Sequence, residues 1–218
     1  MTREIFDKAA ADWDKNDLRV ELSRQVAAAI KQGVPLNRDM DSLEIGCGTG
    51  LVTTELARDL HSIIATDTSE GMLRSLTEKI AGQSLTNIHP LHIDLAGDQS
   101  PLAGKTFQLI YSSMTLHHIK DTGAVLRTCL ELLAPCGFLA IADLEKEDGT
   151  FHGDMPGVEH LGFHPQDLAA LALACGFAHV NLTTAHVISK ENAQGQQRDY
   201  PVFLLTAQKG NHSQVTDW

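Results

Sequence analysis

Short apolar runs alternate along the chain with longer segments in which apolar residues recur every three or four positions. That alternation predicts a parallel sheet covered by helices on both faces. The runs 42–45, 62–66, 87–93, 107–112 and 138–142 read as strands, each followed by a segment long enough for a crossover. Two further extended runs, 178–188 and 201–207, are separated only by the polar stretch 189–199 and predict an antiparallel pair at one edge of the sheet.

The helices are legible from their ends as well as their faces. Ser69 is placed to cap a stripe of Met72, Leu73, Leu76 and Ile80, with Glu70 favoured in the first turn by the helix dipole. Asp121 does the same for Val125, Leu126, Cys129, Leu130 and Leu133, and Pro135 with Gly137 is expected to stop that helix. Pro165 and Gly176 bracket another. A helix over 51–60, two helices over 5–13 and 18–30, and a frayed tail over 211–218 complete the expectation.

Charge changes the picture by excluding partners. The chain carries 28 acidic and 17 basic residues, a formal charge of −11, and the basic ones are scattered, so no nucleic-acid partner is expected and a small neutral or cationic one is. The length of 218 residues suits a single domain over 1–218. Within it, 1–35 supplies the N-terminal helices, 36–145 the cofactor-binding core, 146–210 a substrate-side loop, helix and edge strands, and 211–218 a tail. Four cysteines without a C-x-x-C pair read as reduced thiols. The early charges Arg3, Glu4, Asp7 and Lys8 and a longest apolar stretch of only 168–175 predict a cytoplasmic protein with no membrane partner. Nothing in the pattern fixes an oligomeric state.

The sharpest local signal is Leu43-Glu44-Ile45-Gly46-Cys47-Gly48-Thr49-Gly50, a strand running into a glycine turn that opens a helix. Gly46, Gly48 and Gly50 let the backbone approach a ligand, while Cys47 serves as a small residue in the turn. The spacing is G-x-G-x-G, which departs from the dinucleotide fingerprint G-x-G-x-x-G. Glu44 would meet the pyrophosphate of a dinucleotide as a like charge, whereas S-adenosylmethionine brings an ammonium and a sulfonium that a carboxylate attracts. Asp67, 21 residues after Gly46 and at the end of the second strand, can accept both hydroxyls of a ribose. Asp94, after the third strand, is placed to accept from an adenine amino group. Alone, Asp94 would equally be a turn former and Met72 a core residue.

With LEIGCGTG (43–50), ATDTSEGML (65–73), HIDLA (92–96) and FQLIYSSMTLHHI (107–119), the sequence resembles the small-molecule branch of the class I S-adenosylmethionine-dependent methyltransferases. The resemblance is specific over about 40–145. It implies an α/β fold: a Rossmann-like, doubly wound, seven-stranded and mostly parallel sheet of order 3-2-1-4-5-7-6 with strand 7 antiparallel. It also implies that Thr68 and Met72 border the adenosine, that Asp94 and the Leu95 backbone read adenine, and that Ser112, Ser113 and His118 lie near the methionine end.

Histidines mark where an acceptor would be handled. His117 and His118 follow the fourth strand, and His152, His160 and His164 populate the loop after the fifth; both regions lie above the carboxyl ends of the strands. His117 is the candidate catalytic base, because imidazole titrates near neutrality. His152 and His160 are candidate substrate contacts, and His164 is assigned to the start of the next helix. The segment 148–163 holds four glycines and one proline, the composition of a mobile cover, and is expected to close over the cofactor together with the helix bearing Phe6 and Trp13, two aromatics that would otherwise simply pack on the sheet. The histidines with Asp143, Glu145, Glu147 and Asp154 match no metal-ligand spacing such as H-E-x-x-H, so no metal is expected.

The sequence therefore predicts methyl transfer from S-adenosylmethionine to an O, N or S atom of a small molecule. Ser112-Ser113-Met114-Thr115 stands where base and glutamine methylases carry an Asn/Asp-Pro-Pro-Tyr motif. The rivals are an NAD-dependent oxidoreductase and a non-catalytic S-adenosylmethionine sensor or partner subunit.

Overall fold

Seven strands form one sheet in the order β3-β2-β1-β4-β5-β7-β6 in a computed structural model that describes residues 2–153, 155–192 and 195–211. The strands are β1 (Asp41–Ile45), β2 (Ser62–Asp67), β3 (Ile88–His92), β4 (Phe107–Ser113), β5 (Leu133–Leu144), β6 (Phe177–Glu191) and β7 (Gln197–Lys209). The first five pair in parallel, and β7 runs antiparallel to both β5 and β6. The expected order and the antiparallel seventh strand are both present. Of the expected features, Asp154 and the tail beyond residue 211 lie outside the described residues.

The helices are α1 (Thr2–Ala9), α2 (Asp17–Gly33), α3 (Leu51–Leu56), α4 (Glu70–Gln83), α5 (Thr122–Leu132) and α6 (Pro165–Cys175). Their caps follow the sequence. Ser69 Oγ accepts the Met72 N–H at 3.1 Å, Asp121 accepts the Ala124 N–H at 2.8 Å, and Gly176 closes α6 with φ +107°. His164 is the N-cap residue of α6 but makes no side-chain cap.

Each central strand alternates its side chains between two apolar cores. In β4, Leu109 and Tyr111 face the core shared with α2 and α3, while Ile110 faces the one shared with α5 and α6. In β1, Leu43 and Ile45 pack into the second core, so Glu44 between them points toward α3. That parity decides what surrounds the carboxylate.

Several boundaries differ from expectation. The N-terminal segment over 5–13 is broken: α1 ends at Ala9 and a 3-10 turn covers Ala10–Lys15. The segment over 51–60 is α-helical only to Leu56. Pro135 and Gly137 do not stop α5, which ends at Leu132. They lie within β5, where Cys136 takes φ +61° and the register with β4 shifts between Phe107 and Leu109. Pro90 is tolerated because β3 is an edge strand. Among the described residues, no helix is long and apolar enough to cross a membrane.

Candidate functional site

The glycine turn leaves β1 above the carboxyl ends of the strands. Gly46 and Gly50 have φ of +67° and +79°, and a Cβ on either would lie 2.3 Å from a side-chain atom of Thr115 or Leu76, respectively. Only glycine meets both constraints. The turn is tied to β2, since the Cys47 N–H donates to the Thr66 carbonyl at 2.8 Å and the Gly48 N–H to Asp67 Oδ2 at 2.8 Å.

Beside this turn lies a cavity of about 440 Å³, in the range of small-ligand sites. Besides Glu159, three carboxylates reach its wall from successive strands: Glu44 from β1, Asp67 from the end of β2, and Asp94 just beyond β3. Glu44 is 2% exposed and accepts the hydroxyls of Thr53 and Tyr111, the latter at 3.0 Å. Burial pushes its carboxyl up to about 8, against the partial relief those hydroxyls give. Asp67 accepts the N–H groups of Gly48 and Ser69, each at 2.8 Å; burial nevertheless raises its pKa. Asp94 accepts the Ala96 N–H at 3.0 Å.

Of the other expected cofactor residues, Gly46, Cys47, Gly48, Thr68, Met72, Leu95, Ser113 and His118 line this cavity. Met72 is also buried core, so the two readings of it coincide. Gly50 stands behind the wall as the left-handed N-cap of α3. Ser112 does not reach the cavity: it is buried and donates to the Ile45 carbonyl at 3.0 Å, joining β4 to β1.

The N-terminal segment supplies a further wall. Arg3, Phe6, Trp13 and Arg19 line the cavity, with Phe6 edge-on to Trp13 at 5.8 Å and to His118 at 5.3 Å. The Arg19 guanidinium sits 3.7 Å from the Trp13 ring centroid. Two aspartates hold the segment in place. Asp7 accepts from the Ser69 hydroxyl at 2.6 Å and the Gly71 N–H at 2.7 Å, which hold its carboxyl below the ordinary range. Asp14 accepts the Thr49 hydroxyl at 2.5 Å and pairs with Lys79 at 2.7 Å.

The histidines divide. Neither His117 nor His152 lines the cavity: His117 is 1% exposed and lies behind His118, its Nδ1 meets Asp143 Oδ1 at 2.6 Å, and its Nε2 is buried with no hydrogen-bond partner among the described residues. His118 Nδ1 donates to the Gly157 carbonyl at 2.8 Å. His152 packs 4.7 Å from the His117 ring, and burial, then the neighbouring imidazoles, depress its pKa to about 3. His160 does not join them: its Nε2 meets the Ile119 carbonyl at 3.0 Å and its ring lies by Phe163. The cover segment is anchored here, because the N–H groups of Glu159 and His160 donate to the His117 carbonyl at 2.9 and 3.0 Å. Gly157 and Glu159 of that segment reach the cavity.

Residues 43–137 match the family described as a methyltransferase domain. The chain is similar to an uncharacterized methyltransferase of Schizosaccharomyces pombe, 32% identical over 167 residues covering 71% of this chain and 57% of that protein. It is also similar to a ubiquinone biosynthesis O-methyltransferase of Parvibaculum lavamentivorans, 30% identical over 132 residues covering 59% of this chain and 50% of the relative. The chain thus spans about half the length of the curated relatives it matches. A Haemonchus contortus phosphoethanolamine N-methyltransferase 2 solved with S-adenosyl-L-methionine shares the fold with a TM-score of 0.69, at 16% identity over 86% of this chain and 52% of that one.

Proposed function

We infer from its sheet order, glycine turn and methyltransferase-domain match that this chain is a class I S-adenosylmethionine-dependent methyltransferase that moves the donor's methyl to an O, N or S atom of a small molecule. The observation that carries the reading is the convergence of Glu44, Asp67 and Asp94 on one cavity beside the glycine turn. A cation brought beside Glu44 would draw it into its ionised form, whereas a diphosphate there would meet a buried carboxyl with no charge to pair. Glu44 faces the donor's ammonium, Asp67 the ribose hydroxyls, and Asp94 with Leu95 the adenine. Ser113 and His118 border the methionine end.

The acceptor's lone pair forms a bond to the methyl carbon as the carbon–sulfonium bond breaks, and S-adenosylhomocysteine leaves. The main requirement is alignment, worth on the order of 7–11 kcal/mol when complete. Phe6, Trp13 and the cover segment supply it by closing the cavity. Where the acceptor must lose a proton, His117 is the base: Asp143 fixes its Nδ1 and leaves the Nε2 lone pair unused. His118, which lines the cavity, and His152 pack against its ring. His160, bonded to the Ile119 carbonyl, supports the loop.

Calorimetric titration with S-adenosylmethionine, S-adenosylhomocysteine and NAD, followed by a panel of small thiols, amines and phenols, tests this reading. Binding of the first two ligands and methylation of at least one acceptor are expected. Binding of NAD alone would return the oxidoreductase, and affinity without turnover of any acceptor would return the sensor. His117→Ala is expected to retain donor binding and slow transfer by about 10²–10⁴-fold for an acceptor needing deprotonation.

A further inference from the structure

We propose that His117, His118 and His152 form a binding site for one zinc-class divalent cation behind the part of the cavity wall that His118 supplies. One ring nitrogen from each lies within 4.8 Å of the other two. Tetrahedral bonds of about 2.0–2.1 Å would bring these nitrogens to roughly 3.3 Å apart, so an ion draws the rings together by at most about 1.5 Å.

The surroundings are those of ligands held ready. A metal-bound imidazole usually donates its second ring nitrogen to a carboxylate or a backbone carbonyl, which fixes the tautomer and aims the free lone pair. His117 has Asp143 in that role at 2.6 Å, and His118 has the Gly157 carbonyl at 2.8 Å. Their Nε2 atoms are left for a ligand. His117 Nε2 and His152 Nδ1 are both buried without a hydrogen-bond partner among the described residues, a costly arrangement for polar atoms unless something occupies the space between them. The backbone holds the cluster as well: His117 and His118 share a 3-10 turn, and the segment carrying His152 is tied back to it by Glu159, His160 and Gly157.

Three neutral imidazoles favour zinc over magnesium or calcium, which prefer oxygen ligands. Three protein ligands leave a fourth position for water or for an acceptor oxygen or sulfur, whose proton the cation would make easier to lose. The site stands independently of the methyl-transfer reading and alters one role in it. With an ion on Nε2, His117 has no lone pair for proton abstraction and becomes a positioning residue.

The test uses untagged full chain, stripped with a chelator and titrated with zinc by calorimetry and with cobalt(II) by visible absorption, with and without S-adenosylmethionine. One ion per chain is expected, with intense tetrahedral cobalt bands lacking thiolate charge transfer. His152→Ala should weaken binding at least 100-fold, and Asp143→Asn about 10–100-fold, while His61→Ala, on the far surface, changes nothing. Circular dichroism and donor affinity check that each variant is folded. Zinc affinity equal in the native chain and His152→Ala, or octahedral cobalt bands, overturns the site. Donor binding without metal binding sinks this proposal alone, and metal binding without donor binding sinks only the cofactor assignment.

Discussion

Asp7 and Ser69, 62 residues apart in the chain, are joined by a hydrogen bond of 2.6 Å in which the Ser69 hydroxyl donates to the Asp7 carboxylate. Ser69 also caps α4 and donates its own N–H to Asp67, so one serine connects the N-terminal wall to the carboxylate at the end of β2. Asp7→Ala is expected to free residues 2–15 and weaken donor binding by about 1 kcal/mol, roughly fivefold. Hydrogen exchange over that segment with a parallel donor titration checks it. Because the Asp7 carboxyl is depressed in the fold, its contribution is present above the ordinary carboxylate value and is lost as pH falls below it. Unchanged exchange would show that the aspartate does not anchor the segment.

Glu44 gives a pH dependence of opposite sign. Its folded value of about 8 lies above the ordinary 4.5, so its stabilising contribution is complete below 4.5 and is lost as pH rises toward 8. Glu44→Gln cannot ionise and is expected to escape that loss, gaining on the native chain by on the order of 3 kcal/mol between pH 5 and pH 7. Denaturant titrations at the two pH values measure it. Parallel curves would refute the shift.

Donor binding should couple to the same proton. An ammonium beside Glu44 favours its ionised form, so binding at pH 7 releases a proton and affinity rises between pH 6 and pH 7. Calorimetry in buffers of different ionisation enthalpy reads the release. Glu44→Gln is expected to bind more weakly and without the buffer dependence.

Asp67→Ala removes the acceptor shared by the Gly48 and Ser69 N–H groups. A cost of about 1–3 kcal/mol in stability is expected from the unpaired donors, together with loss of measurable donor binding. Thermal melts and titration separate the two effects. Retained donor affinity would contradict the ribose assignment.

Gly162 takes φ +68°, and a Cβ there would lie 2.2 Å from the Glu145 carbonyl oxygen. Backbone cannot yield as a side-chain tip does, so Gly162→Ala should unseat the return of the cover segment onto β5 at a cost of about 2 kcal/mol or more. Protease cleavage within 148–163 is expected to accelerate while donor affinity changes little.

What the sequence made legible is what the chain builds locally. The glycine turn, the Ser69 and Asp121 caps and the spacing from Gly46 to Asp67 each depend on residues a few turns apart or on one strand–helix–strand unit. The remainder depends on distant pairings. Nothing around Asp7 or Asp14 announces that they reach Ser69 and Thr49, because both are ordinary surface-helix residues until the segment docks. The meeting of His152 with His117 needs the fold of the whole cover segment, which has no period to read. Ser112 was separable from Ser113 only by strand parity, which turns one into the sheet and the other toward the cavity. Pro135 and Gly137 carried a stop signal that the chain had already obeyed at Leu132.

Trp13 lies under the Arg19 guanidinium at 3.7 Å, on the opposite side of the Asn16 cap from the helix that bears that arginine. The indole that lines the cavity is held there by this stacking. One aromatic residue of the cavity wall is thus fixed by a cation from the next helix, so loss of the Asn16 cap would loosen wall and helix together.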